Sequence, residues 1–257
     1  MNMYSWNEYS ESAKTLATVL GIKRIKHTNS KFKGKPNKVV VNWGSSSLPD
    51  EVMKCRILNR PEFVNRASNK KLFFEYMSQY NSHCVVEHTC DPDVALKWYE
   101  DNITVVAREV LQGHSGEGIH LLKLNETGFI EAPLYTKYKP KKDEYRLGYY
   151  RNRDGSVLCF SSQRKARSLA VPEEEVNWKI RNYANGFIYQ REDLAIPNCV
   201  FDCGFETFAI SGLDFGAIDI IYNEREQRAY ALEINTAPGL DGSTVNEYTS
   251  MLRSLLY

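Results

Sequence analysis

Gly212-Leu213-Asp214-Phe215-Gly216-Ala217-Ile218-Asp219-Ile220-Ile221-Tyr222 and, after the polar stretch Asn223 to Arg228, Ala229-Tyr230-Ala231-Leu232-Glu233-Ile234-Asn235-Thr236-Ala237-Pro238-Gly239-Leu240 decide the fold. Each half reads as a short apolar strand carrying isolated polar residues, with the polar stretch as the turn. In such a hairpin Asp219 and Glu233 face each other. Asn235, two residues on, shares the face of Glu233. Two carboxylates and an amide oxygen make a hard, oxygen-only site of the kind that suits Mg2+ held with substrate phosphates. The competing reading is a hairpin with a solvated polar face. Against it, these acids sit among Ile, Leu and Ala, where an unpaired charge is costly.

The chain has 257 residues, enough for one large or two small domains. Hydrophobic content of 42% and charged content of 25% are those of an ordinary globular protein. A formal net charge of +1 gives no general attraction to nucleic acid or membrane. No apolar run is long enough for a membrane helix. Met1 to Trp6 carries neither the basic region nor the apolar core of a signal peptide, so the expected location is cytoplasmic. Cys55, Cys84, Cys90, Cys159, Cys199 and Cys203 are scattered and form no Cys-x-x-Cys pair. They read as reduced, mostly buried thiols rather than a disulfide frame or a zinc site. Oligomeric state is not legible.

In chain order, Glu8 to Leu20 has helical spacing and stops at Gly21. Val39 to Gly44 is a buried strand running into the small-residue turn Ser45-Ser46-Ser47, which is either a plain loop or a ligand contact at a strand end. Ser68 is the expected N-cap of a helix through Met77, and Asp91-Pro92 opens another. Ile103 to Leu111 is a strand feeding the glycine-rich turn Gln112-Gly113-His114-Ser115-Gly116-Glu117-Gly118, with Ile119 to Leu124 returning. The turn matches neither Gly-x-Gly-x-x-Gly nor a Walker A loop, but it lets backbone N–H groups approach phosphate oxygens. Glu144 to Tyr150 alternates as a strand with Glu144 and Arg146 on one face, which alone could be an ion pair of little worth. Val157 to Arg167 is a strand ending in the cations Arg164, Lys165 and Arg167, a solvated run or an anion site. Pro172 to Tyr183 and Pro197 to Gly212 read as helices. Gly242-Ser243-Thr244 is a loop before a closing helix from Asn246 to Leu256.

Taken in this order, the motifs resemble the ATP-grasp superfamily, which includes D-alanine–D-alanine ligase and the glutamate-adding peptide ligases. The resemblance runs from about residue 66 to the C-terminus, and Glu233-Ile234-Asn235 followed by Pro238-Gly239 is its most specific piece. It implies an α+β ATP-grasp fold, two subdomains clamping ATP, over residues 67–257. Residues 67–140 would carry the glycine hairpin and 141–257 the metal site, behind a short α/β unit at 1–66. It implies that Asp219, Glu233 and Asn235 hold two Mg2+ ions against ATP. Lys70 and Arg108 would reach the phosphates, Arg108 standing where the family commonly has Lys. Gly113, Ser115, Gly116 and Gly118 would cover the nucleotide. Lys137 and Tyr138, beside Tyr135, would lie at the adenine-reading hinge, and Glu144 would bind ribose. Arg146 and Lys165 would face the transferred phosphoryl group, flanked by Arg164 and Arg167. The implied reaction is ligation of a carboxylate to an amine through an acyl phosphate, the acceptor being a small molecule, a peptide or a protein terminus. The short glycine hairpin and the Asn42-Trp43-Gly44-Ser45 unit are similar to compact members encoded by bacteriophages, which would place the chain in a host cytoplasm. Two alternatives stay open: a small-molecule kinase on the same fold, and a non-catalytic nucleotide-binding or scaffold protein.

Overall fold

The computed structural model describes residues 1–113 and 116–255. Three sheets follow one another along the chain. The first is parallel, in the order β2 (Lys23–Arg24), β1 (Asn2–Ser5), β3 (Val39–Trp43), β4 (Arg56–Leu58). A parallel sheet is covered on both faces, which is why Val40, Val41 and Trp43 are all buried. Helix α1 (Glu11–Leu20) and the C-terminal helix pack on Val41 and Trp43, while the short α2 (Asp50–Met53) and Ile25 cover Val40 and Tyr4. Helix α1 begins later than Glu8 because Ser10 caps it, accepting from the Ala13 N–H, and Gly21 ends it at φ 66°.

Two helices then lead into the second sheet. Helix α3 (Pro61–Ser68) takes up Ser68 as its last residue, so the cap of α4 (Lys70–Asn81) is Asn69, not Ser68. Asn69 Oδ1 accepts from the Leu72 N–H at 3.2 Å, a task Ser68 cannot perform from inside a helix. Helix α5 (Pro92–Glu100), capped by Asp91, covers an antiparallel sheet of order β5 (His88–Thr89), β8 (Leu134–Lys137), β6 (Val105–Arg108), β7 (Ile119–Leu122).

The third sheet is antiparallel throughout: β11 (Phe187–Gln190), β10 (Val157–Arg167), β9 (Asp143–Arg151), β12 (Phe215–Asn223), β13 (Arg228–Asn235). One face packs on α6 (Asn198–Ser211) in the largest core cluster, through Leu147, Tyr149, Ile218 and Ile220. The other face is the site. The closing helix α7 (Ser243–Ser254) starts three residues before its expected position, and α1 packs against it.

The helix expected over Pro172 to Tyr183 does not form. Short 3-10 turns stand at Glu173–Glu175 and Tyr183–Asn185 instead. Asn177 Oδ1 accepts from the N–H groups of Lys179 and Ile180, and Asn182 Oδ1 from that of Asn185. These side chains compete with the helical ladder, and the stretch has no apolar stripe to repay a helix.

The N-terminal unit is tied to the third sheet by Asn59, fully buried at φ 63°. Its Oδ1 accepts from the N–H groups of Asp214 (2.9 Å) and Phe215 (3.1 Å), and its Nδ2 donates to the Phe215 carbonyl at 2.9 Å. Its own carbonyl accepts from Asn42 Nδ2 at 2.8 Å. Asn tolerates the left-handed backbone that this position needs. Asn59→Ala leaves three buried backbone groups unpaired and strains the backbone. We expect it to lower the unfolding free energy by about 3 kcal/mol or more in urea titration.

Candidate active site

The register of the third sheet brings the charged residues together. Gln163, Arg146, Asp219 and Glu233 stand opposite one another on β10, β9, β12 and β13, one row across the sheet. In the next row Lys165 pairs with Tyr189, and Glu144 with Ile221. Residues directly opposite in an antiparallel pair share a face, so both rows line one cleft of about 790 Å3. Lys70, Arg108 and Gly113 of the preceding elements close it from the other side.

Asp219 is the most enclosed group. Arg146 grips it twice, Nε to Oδ1 at 2.6 Å and Nη2 to Oδ2 at 2.9 Å, and Lys165 Nζ lies 3.6 Å from Oδ2. Burial alone would raise its pKa, but the two cations hold it down, to about 2. Burial works against the charged forms of Arg146 and Lys165 as well. Asp219 together with the other negative neighbours, Glu233 at Arg146 and Glu144 at Lys165, more than offsets it, and both pKa values rise. The Arg146 guanidinium also lies 4.8 Å over the Tyr189 ring, whose hydroxyl pKa is pushed to about 12 by burial and by Asp219.

Glu144 is buried, with both oxygens engaged by lysines: Oε2 by Lys141 at 2.5 Å, Oε1 by Lys165. Burial favours its neutral form, yet Lys165 and Lys141 keep its pKa below the usual carboxylate range. Its carboxylate fixes the ammonium groups of both lysines, and it lines the cleft. Lys141 was not singled out from the sequence. Its signal was there, in a basic turn three residues before an acid on a strand.

Glu233 is more open. Lys70 Nζ lies 3.4 Å from its Oε2, and Asn235 Nδ2 donates to its Oε1 at 3.3 Å. A β-bulge follows this pair: Asp219 faces Glu233, but Ile220 faces Ala231. Leu232 is the extra residue, and Leu232 and Glu233, although consecutive, both line the cleft. With Val86, Val106 and Ile221, Leu232 makes the cleft's apolar end.

Arg108 is 7% exposed. Among the described residues it makes no ion pair, and its Nε has no hydrogen-bond partner. Burial lowers its pKa, and Glu233 only partly offsets this. An uncompensated buried guanidinium is costly unless an anion arrives.

The glycine hairpin joins β6 to β7. Gly118 has φ 64°, and a Cβ there would stand 2.7 Å from a Val110 methyl. Gly116 abuts Ile180 of the irregular segment 168–186, so the hairpin reaches across the cleft. Lys70 Nζ donates to the Gly113 carbonyl at 3.4 Å. Ser115 falls outside the described residues.

Lys137 and Tyr138 also line the cleft. Lys137 Nζ turns to Glu87 at 2.7 Å and lies over the Trp98 ring. The N–H groups of Lys137 and Tyr138 donate to the carbonyls of Glu87 and Thr104. Tyr135 points into the core beneath the second sheet. Arg164, one residue from Lys165, falls on the opposite face by strand alternation, against Gln190 and Asp143. Arg167 pairs with Glu173 beyond the cleft. The structure therefore brings Lys70, Arg108, Glu144, Arg146, Lys165, Asp219, Glu233 and Asn235 together and leaves Arg164 and Arg167 outside. Tyr189 was missed in the sequence, although Phe187-Ile188-Tyr189 after Gly186 is a strand-like run.

No family model and no curated protein sequence matches this chain. Solved structures do. The ATP-grasp ligase PsnB, complexed with a minimal precursor, aligns over 100% of this chain and 99% of its own, at TM-score 0.69 and 10% identity. D-alanyl-alanine synthetase A from Vibrio cholerae aligns over 99% and 96%, at 0.68 and 15%. Carboxyaminoimidazole ribonucleotide synthase from Aspergillus clavatus, complexed with ATP, aligns over 99% and 76%, at 0.64 and 14%. The fold is the ATP-grasp fold, of class α+β, as the motif order implied.

Two measurements follow from this geometry. Asp219 has a depressed carboxyl pKa, so its unfolded form binds a proton first. Its stabilisation is complete above the unfolded value near 4 and is lost as pH falls towards 2. Between those limits the wild type loses about 2 kcal/mol more stability than Asp219→Asn in acid denaturation. Arg108→Met removes an uncompensated buried cation, so we expect the free protein to gain about 1 kcal/mol in thermal unfolding. The same change weakens binding of an ATP analogue roughly tenfold, since it deletes a charge-assisted contact.

Proposed function

We infer that this chain is an ATP-dependent, Mg2+-dependent ligase that joins a carboxylate to an amine through an acyl phosphate, releasing ADP and phosphate. The carrying observation is the charge in the cleft. Lys70, Arg108, Lys141, Arg146 and Lys165 converge around Glu144, Asp219 and Glu233, and over the whole described lining lysines and arginines outnumber acids nine to six. That surplus of positive charge fits a polyphosphate, with the apolar end at Val106, Ile221 and Leu232 taking the base. PsnB has been solved with Mg and ADP, and the Aspergillus clavatus synthase with ATP.

The donor set fits Mg2+. Asp219 and Glu233 face each other across one register position, and Asn235 adds an amide oxygen on the same face. Asp219, Glu233 and Asn235 would hold the ion, together with phosphate oxygens. When bound, the ion neutralises phosphate charge and acts as a Lewis acid on the transferred group.

The chain's own residues do the rest by position and charge, as phosphoryl transfer requires. Arg108 and Lys70, on the side of the glycine hairpin, hold phosphate oxygens. Lys165 and Arg146 stand over the place where the γ-phosphoryl group meets the incoming carboxylate and stabilise the charge that develops there. Glu144 keeps Lys141 and Lys165 in place. Arg146 is shared: its grip on Asp219 keeps the carboxylate ionised and oriented until an ion competes for the same oxygens. No side-chain nucleophile is needed, because the substrate carboxylate attacks the phosphoryl group and the amine then displaces phosphate.

The test is thermal unfolding with Mg2+ and a non-hydrolysable ATP analogue. At a hundredfold excess over the dissociation constant, we expect a stabilisation of about 2.7 kcal/mol. It requires Mg2+ and shrinks in Glu233→Gln. Amine-dependent release of free phosphate from ATP then separates ligation from a kinase, which leaves a stable phosphoester. Absence of any shift in the wild type would sink the reading.

A further inference from the structure

Behind the third sheet, on the face opposite the cleft, a second group of donors converges. His83 and Cys84 sit on the short 3-10 turn Ser82–Cys84 that ends α4, and Cys203 and Glu206 sit on α6. Three residues apart on one helix, Cys203 and Glu206 share a face. His83 Nε2 lies 2.6 Å from Glu206 Oε2, and the Cys84 thiol donates to the same oxygen at 3.4 Å. The ligand atoms of His83, Cys84 and Glu206 all fall within 4.8 Å of one another. The Cys203 thiol donates instead to the Cys84 carbonyl at 3.8 Å and stands outside this cluster. None of these residues touches the nucleotide cleft.

We propose that His83, Cys84 and Glu206 form a zinc site with three protein ligands and an open fourth position. A thiolate, an imidazole and a carboxylate are a borderline-soft donor set that suits Zn2+ and does not suit Mg2+. The spacing supports it. With Zn–S of about 2.3 Å and Zn–O of about 2.0 Å, a tetrahedral ion places sulfur and oxygen about 3.5 Å apart, close to the Cys84–Glu206 separation. The His83–Glu206 contact is contracted to hydrogen-bond length and opens by about 0.7 Å to admit the ion. Both side chains are free to make that move, being 63% and 43% exposed, whereas Cys84 is held in the core. Arg228 Nη2 donates to the His83 carbonyl at 2.8 Å and fixes the turn against β13. The ion would pin the end of α4 to α6 and so stiffen the back of the sheet that carries the cleft. Binding releases the Cys84 thiol proton as the thiolate ligates. No His-x-x-x-His or Cys-x-x-Cys spacing announces the site, because its two halves lie 122 or more residues apart.

The full chain, kept reduced and stripped with a chelator, is dialysed against Zn2+ with Mg2+ in excess and analysed for bound metal. Co2+ is then used as a spectroscopic probe. We expect one ion per chain, a higher unfolding temperature on loading, and a thiolate-to-cobalt charge-transfer band. Cys84→Ser should lose the band. His83→Gln and Glu206→Gln, at exposed positions where misfolding is not a concern, should each weaken affinity roughly tenfold or more. A wild type without the band, or binding indifferent to both His83→Gln and Glu206→Gln, overturns the proposal.

Discussion

The grip of Arg146 on Asp219 is the interaction on which the rest of the site depends. It crosses from β9 to β12 at a position where the register sets the two residues opposite each other. Taking a carboxylate and a guanidinium out of water costs several kcal/mol per ion, and their mutual attraction seldom returns all of it. A fold seeking stability alone would place apolar residues there. Lys165 and Glu144 extend the pair into a chain of alternating charge ending at Lys141, so that each ion has opposite neighbours. The chain does not close. Arg108 and Lys70 leave it with more cations than acids, and a network left short of negative charge is one prepared for an anion.

Much of this site was legible because strand alternation is a strict rule. Asp219 with Glu233, Glu233 with Asn235, and Glu144 with Arg146 all follow from a period of two along two strands. The order of the motifs then carried the fold. What escaped is what alternation cannot express. Leu232 joins the cleft only because a bulge shifts the phase of β13, and a bulge has no composition of its own. Lys141 acts from a turn, where no period applies. Arg164 was grouped with Lys165 as one basic cluster, though neighbours on a strand must point to opposite faces. The helix expected from Pro172 failed because acids in a first turn signal a helix start, whereas Asn177 and Asn182 offered the backbone other partners.

The N-terminal unit is small, and its packing shows how it can be. Trp43 stacks on Phe215 at 5.8 Å and meets Tyr248 edge-on at 5.6 Å, so its core is shared with the start of β12 and with α7. Asn59 completes the connection through backbone hydrogen bonds on the same strand. Residues that would be a surplus apolar face in an isolated unit are thereby buried, and the unit borrows stability from the sheet it serves. The start of α1 also reaches the cleft, where Ser12 Oγ accepts from the Leu240 N–H at 3.2 Å. The side of the cleft beyond Asn235 is therefore built jointly by the first helix and by the loop after β13.

The two candidate metal sites lie on opposite faces of one sheet, and their chemistry keeps them apart. Asp219, Glu233 and Asn235 offer oxygen, and a small hard ion would bind there with the phosphates it neutralises. Cys84 and His83 offer sulfur and nitrogen, which bind Mg2+ poorly and Zn2+ well. Selection needs no difference in cavity size, since each ion is turned away from the other's site by its donors. The sites also differ in what they join. The oxygen set lies on adjacent strands of one sheet and is aligned by the fold itself, whereas the sulfur set spans a turn and a helix that meet only through core packing. An ion in the first site responds to the nucleotide; an ion in the second would respond to the fold, holding α4, whose opposite end carries Lys70, against the helix beneath Asp219.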